Sequence, residues 1–332
     1  MREHLKWIDV AKATAIFAVI LDHTFGLVYT NELFHLHTVF SVTLFVFLGG
    51  ITAGISISNQ KSIDRSYVIK KVLNLIAPYI LITFVAVVYY NNWILDIHTF
   101  FTALLSFTAL PPLYFVLFYA QLIICSPFLY RVISKCNKNI RKEGLALFVI
   151  YLLSWWLTHK TLISNIYGGG GRLLGGSYLF VYFLGMLFQR HMDSLKNKRL
   201  NTIAFAGTIL LLAVMEVTFV NKIWANPPTK YTILYSLCIF MLIFTISNIV
   251  TVKSRILTAL IDVIAYIGKN TLYIFMYHWL FLDIGKSCLV ALQIQNKYLI
   301  AIWAVSWCLI PPILVSFIVK KAKKPLKQLL FE

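Results

Sequence analysis

The sequence predicts an all-α polytopic membrane protein, with about ten transmembrane helices, both termini cytoplasmic, and a single domain over residues 1–332. Three observations carry that expectation. Hydrophobic residues make up 60% of the chain and charged residues only 13%, about half the charge of a water-soluble globule. Apolar runs of roughly spanning length recur from one end of the chain to the other, joined by short polar stretches. Lys and Arg gather in alternate joints, which is how a multi-pass chain marks its cytosolic side.

The apolar runs lie near 7–29, 38–58, 72–90, 112–130, 145–158, 175–189, 201–220, 231–250, 271–290 and 298–319. The stretch FFTALLSFTALPP (100–112) is apolar but short and ends in a Pro pair, so it reads as re-entrant or interfacial rather than as another span. With the N-terminus inside, the inner joints and tail hold 24 of the 30 basic residues. That split supports an even number of crossings. It also accounts for the net charge of +18: basic joints set topology and meet anionic lipid headgroups, so membrane lipid is the expected partner and nucleic acid is not. The basic start and apolar run at the N-terminus read as a retained first helix, because Lys12, Asp22 and His23 interrupt the run and no small-residue cleavage site follows. Of the five cysteines, four fall within spans at no pairing or metal-binding spacing, and no metal is expected.

Within the first run, KATAIFAVILDH (12–23) starts and ends on groups that hydrocarbon disfavours. Lys12 and His23 are eleven residues apart, which on a helix is three turns plus roughly 20°, so they share one face about 16 Å apart. Asp9 sits one turn below Lys12. Asp22 points about 100° away from His23 and is a poor orienter of it. Two readings stay open: a basic mouth with a titratable imidazole deep inside, or a snorkelling Lys12 above a hydrogen-bonded core histidine. Two further intramembrane groups carry the same choice. His278 lies about seven residues into the ninth run, as a core residue or a second catalytic group. Glu216, in LLAVMEVTF, is a functional acid or a solvated one near the outer end. His35 and His37 in FHLH alternate with apolar residues at an outer boundary, without the cysteines or acids a metal site would add.

WIDVAKATAIFAVILDH resembles the first helix of acyltransferase family 3, the multi-spanning O-acyltransferases that modify bacterial surface sugars. That family's motif is a basic residue, ten residues and a His, matched here by Lys12 and His23. TLFVFLGGITAG resembles the family's Phe-rich second helix ending in Ser-Gly, with Gly49 in the Ser position and Gly50 in place. YVIKKVLNLIAPYI resembles the basic approach to the third helix with its Pro-Tyr, here Lys70, Lys71, Pro78 and Tyr79. LYFVLFYAQLIICSPFL matches a further segment with Tyr114 where Trp is usual and Pro127 in place. IGKNTLYIFMYH resembles the late element that closes on His278. Two departures stand out. Asn74 follows Lys71 where a second basic residue is common. Tyr119 and Ala120 occupy places that are acidic in members with an extra extracytoplasmic domain, while Gln121 is kept.

The resemblance implies transfer of an acyl group, foremost acetyl, from cytosolic acyl-CoA to a sugar hydroxyl of a cell-surface glycan or its lipid-linked oligosaccharide precursor, in a bacterial inner membrane. In that role His23 suits the general base, since imidazole is the group whose unperturbed pKa lies near working pH, with Asp22 and His278 as secondary catalytic candidates. Lys12, Arg65, Lys70 and Lys71 would hold coenzyme phosphates, and the Lys12 to His23 distance would measure the pantetheine arm. Glu216 and, from the outer stretch NIYGGGGRLLGGSY, Tyr167, Arg172 and Tyr178 are the acceptor-binding candidates, the glycine run acting as a lid or simply as a linker. The alternative from another class is an exporter or flippase of surface polysaccharide units. A transporter predicts polar lining without a base and often an internal repeat, and no repeat is visible.

Overall fold

The computed structural model describes residues 5–60, 65–159, 174–219, 222–223, 227–251 and 254–331. Helices dominate: α1 (Lys6–His23), a short α2 (Glu32–Leu36), α3 (Ser41–Ser58), α4 (Arg65–Tyr90), α5 (Ile97–Ser106), α6 (Tyr114–Lys135), α7 (Ile140–His159), α8 (Ser177–His191), α9 (Lys198–Thr218), α10 (Lys230–Ile249), α11 (Arg255–Lys269), α12 (Thr271–Ala291) and α13 (Lys297–Phe331). Among the described residues there is no strand, only an isolated bridge between Phe25 and Tyr29.

Each of the ten predicted apolar runs contains a helix. By length and composition seven stretches can cross a membrane: α2 with α3, then α4, α6, α9, α10, α12 and α13. The chain is therefore a multi-pass membrane protein. The helices in the other three runs differ for visible reasons. α1 carries Lys6, Asp9, Lys12 and Asp22 within 18 residues, α7 opens on Arg141, Lys142 and Glu143, and α8 has only 15 residues. At 1.5 Å per residue α8 is about 22 Å long, less than the bilayer's hydrocarbon core. α5, with 10 residues, is shorter still and cannot span, as the Pro-terminated stretch predicts. α11 falls between the predicted runs. It is amphipathic, with Ile256, Leu260 and Val263 exposed and Ala265 and Gly268 buried against α1.

Burial is inverted from a soluble bundle at the periphery and conventional at the centre. Ile203, Leu210 and Val217 on α9 are exposed apolar side chains, as lipid-facing surfaces require. At the centre α3 and α8 cross in close backbone contact. A methyl group on Gly50 would overlap the Tyr182 carbonyl, and one on Gly185 would overlap the Phe47 carbonyl. Small residues let helix backbones meet where no hydrophobic effect drives them together.

Alternating helix directions sort the chain into two ends. The N-terminal parts of α1, α4 and α12 meet the middle of α3 and the first half of α6 around one cavity, and its mouth lies toward the end that carries Lys12, Lys71, Lys135 and Lys269. We call it the basic end. Pro78 inside α4 and Pro127 inside α6 each withdraw a helical donor from the carbonyl four residues earlier. Those carbonyls belong to Asn74 and Ile123, two residues that line the cavity. The Ser126 hydroxyl donates to the neighbouring Ile123 carbonyl (2.7 Å), and the Tyr277 hydroxyl ties α12 to α4 at the Pro78 carbonyl (3.1 Å).

Candidate active site

Two histidines 255 positions apart in sequence meet in the middle of the bundle: His23 Nδ1 lies 2.6 Å from His278 Nε2. Their rings are near-parallel, with an interplanar angle of 3° and centroids 4.9 Å apart. His278 is fully buried. Its Nδ1 sits 2.8 Å from the Phe275 carbonyl and 3.0 Å from that of Ile274. Carbonyls only accept, so Nδ1 carries the proton and, in the neutral ring, Nε2 is the acceptor. His23 must then donate from Nδ1, which leaves the lone pair of its own neutral ring on Nε2. Backbone geometry on α12 thereby fixes which nitrogen of a side chain on α1 can take a proton.

That nitrogen faces Asp22, whose Oδ2 is 3.5 Å away. Here the structure corrects the helical-wheel expectation. α1 ends at His23, so the adjacent Asp22 side chain folds over the helix terminus and reaches its neighbour instead of diverging from it. Asp22 Oδ1 lies 3.6 Å from His35 Nδ1 and 3.1 Å from the Thr38 hydroxyl. A protonated His23 would meet a carboxylate at once. The Trp279 ring stands edge-on to His23 at 4.8 Å, and Phe25 stacks on His35 at 4.5 Å. The His23, Asp22 and His35 side chains remain 22%, 26% and 31% exposed, so the pair is approached from the end opposite the basic one.

On the basic side the cavity has a volume of about 300 Å³. Lys12, Lys71, Tyr67 and Asn74 line its mouth, and Phe45, Phe115, Tyr119 and Phe275 form its inner wall. Neither histidine lines it. The Phe275 ring stands between, 6.1 Å from the His278 ring and 4.8 Å from Phe115. Tyr119 stacks on Phe115 at 5.0 Å and occupies the space beside Gly49, where a methyl group would come within 2.7 Å of its hydroxyl. The two sequence departures at Gly49 and Tyr119 are thus one feature: the glycine makes room for the ring.

The remaining predicted residues scatter. Lys70 is exposed and lies outside the cavity lining, and Arg65 opens α4, its side chain outside the described residues. Tyr167 and Arg172 also lie outside the described residues. Tyr178 is fully buried and stacked on Phe118 at 4.8 Å; it joins α6 to α8 and cannot meet an acceptor. Glu216 pairs with His37 (2.9 Å), away from the histidine pair, while His35 turns to Asp22, so the two histidines of FHLH diverge. Thr38, Trp279 and Phe275 carry no assignment from the sequence, and Tyr119 only that of a departure from the family pattern. Trp279 had a signal in its position beside His278.

No curated protein and no solved structure matches the chain. A family model described as an acyltransferase domain matches residues 5–321, nearly all of the sequence. With that match over the paired histidines and the basic cavity, the chain belongs to acyltransferase family 3.

Proposed function

We propose that this membrane acyltransferase takes an acyl group, in the first instance acetyl, from acyl-CoA at the basic end and places it on a hydroxyl of a surface glycan or its lipid-linked precursor, in a bacterial inner membrane. The observation that carries the reading is the His23–His278 contact, because it leaves a lone pair on His23 Nε2 beside a carboxylate. The acceptor hydroxyl gives its proton to Nε2 as its oxygen forms the new C–O bond with the thioester carbonyl. The C–S bond then breaks, and the departing thiolate recovers a proton from the imidazolium. Asp22 stabilises that imidazolium while it lasts, and His278 holds the ring so that it never rotates its proton into the wrong place. No metal takes part in this scheme. Lys12 and Lys71 supply positive charge for coenzyme phosphates at the cavity mouth, and the positive-inside rule assigns this mouth to the cytosol. Donor and acceptor then enter from opposite faces, and only the acyl group crosses.

The test is a reconstituted vesicle of defined orientation. Acetyl-CoA supplied on the basic side should acetylate a glycan acceptor present only on the other side, and supplied with the acceptor it should not. Passage of unmodified glycan across the vesicle would instead favour the exporter.

A further inference from the structure

A second chamber lies farther toward the basic end in the same seam between α3, α6 and α8. α3 contributes Thr52 and Ala53 to the main cavity and Ser58 to the chamber. α6 contributes Ser126 to the first and Tyr130 and Ile133 to the second, while α8 contributes Tyr182 and then Met186, Gln189 and Arg190. On each helix the walls are about one turn apart, roughly 6 to 8 Å. The chamber holds about 200 Å³, the volume of about six or seven waters. It can admit a phosphate group with its hydration but not a whole nucleotide.

Its chemistry is cationic and built. Arg190 Nη1 donates to the Ile133 carbonyl (2.8 Å), and its Nε lies 3.3 Å from Glu143 Oε1. Glu143, 2% exposed, is also held by His191 at 2.7 Å. The guanidinium is tied to α6 by one hydrogen bond, while its buried Nε makes no hydrogen bond among the described residues. Lys138 closes the wall from the α6–α7 joint. It and Asn137 adopt successive left-handed conformations, φ 58° and 51°, which non-glycine residues avoid unless the surroundings impose them. Asp193, the one acid in the wall, is paired with Lys196 at 2.8 Å. Lys138 and Arg190, the latter sharing its charge with Glu143, thus line the chamber beside an acid already paired with Lys196.

We propose that this chamber binds a phosphate monoester, the terminal 3′-phosphate of the donor's nucleotide, while the pantetheine arm runs through the main cavity toward Phe275. The proposal rests on the acyl-CoA reading above. A coenzyme A molecule carries its diphosphate and its 3′-phosphate at separate points, so it needs two cationic sites at one end. Lys12 with Lys71 and Arg190 with Lys138 are such a pair. The same chemistry could be met by an anionic phospholipid headgroup at this surface, and the experiment separates the two sources.

Compare acetyl-CoA with acetyl-3′-dephospho-CoA in the full-length protein in nanodiscs of neutral lipid. Wild type should prefer the 3′-phosphorylated donor by about tenfold in kcat/KM, the value of one charge-assisted hydrogen bond, with the difference in KM. In Arg190→Gln and Lys138→Gln the ratio should collapse toward one. Arg190 also braces α6 and α7, so Lys138→Gln, an exposed substitution, keeps the test alive if the arginine variant does not fold. A ratio that persists in Lys138→Gln, or its absence in wild type, overturns the site and leaves the acyl-CoA reading standing. Transfer from neither donor would instead overturn that reading, and the site with it. Loss of co-purified anionic phospholipid in the variants, with donor preference intact, would assign the chamber to lipid and overturn the proposal.

Discussion

The two ends of α1 hold charge in opposite ways. At His23 one ring nitrogen is held by His278 and the other keeps its lone pair beside the Asp22 carboxylate, which His35 and Thr38 back from behind. At Lys12 the helix faces a cavity whose described lining contains a second lysine, Lys71, and no acid. One end is hydrogen-bonded everywhere except at the nitrogen that takes the proton. The other is a site where two lysines share one nearby acid, the buried Asp9, and keep positive charge for an anionic ligand. The difference separates the chemical step from donor capture along a single helix, and substitutions at each end should fail in different kinetic terms.

The largest effect belongs to the histidine end. His23→Ala should lower kcat by about 10² or more, the usual cost of a lost general base. His278→Phe should also lower kcat, since nothing then accepts from His23 Nδ1, whereas His278→Gln keeps a side-chain acceptor and should recover part of the loss. Measured kcat with unchanged donor KM in all three would support the assignment; equal activity of the Phe and Gln variants would show that His278 only fills space. At the lysine end, Lys12→Gln or Lys71→Gln should raise the donor KM by about tenfold with kcat nearly intact. A fall in kcat at constant KM would erase the contrast between the ends. The smallest effect sharpens the boundary between them. Gly49→Ala should destabilise the protein by about 1–3 kcal/mol through overpacking against Tyr119, read as a lower thermal midpoint, and Tyr119→Leu in the same chain should restore it.

Much of this arrangement was legible in the chain. The ten apolar runs each contain a helix because lipid-facing and core-facing surfaces are both apolar, so the signal survives whichever way a helix turns. The spacing of Lys12 and His23 needed only helical geometry. What escaped depends on contacts between distant segments. Nothing local to IGKNTLYIFMYH states that His278 will meet His23. Tyr178 reads the same at a helix start whether its ring faces a substrate or, as here, Phe118. α11 is not legible as a span because it has only 15 residues and carries Asp262 on its exposed face. Asp22 was misjudged because the wheel assumes an uninterrupted helix, and α1 stops one residue later.

The interlock of Gly50 with Tyr182 and of Gly185 with Phe47 also sets an order of assembly. α3 leaves the ribosome long before α8 exists, and synthesis of the intervening chain takes on the order of ten seconds. During that interval α3 sits in the bilayer with its glycine-lined flank against lipid, able to join any other helix that offers a small-residue surface. Biogenesis therefore has a waiting step at its centre: the bundle cannot close until the eighth helix arrives, and the face that later gives this close backbone seam is until then open to mispairing.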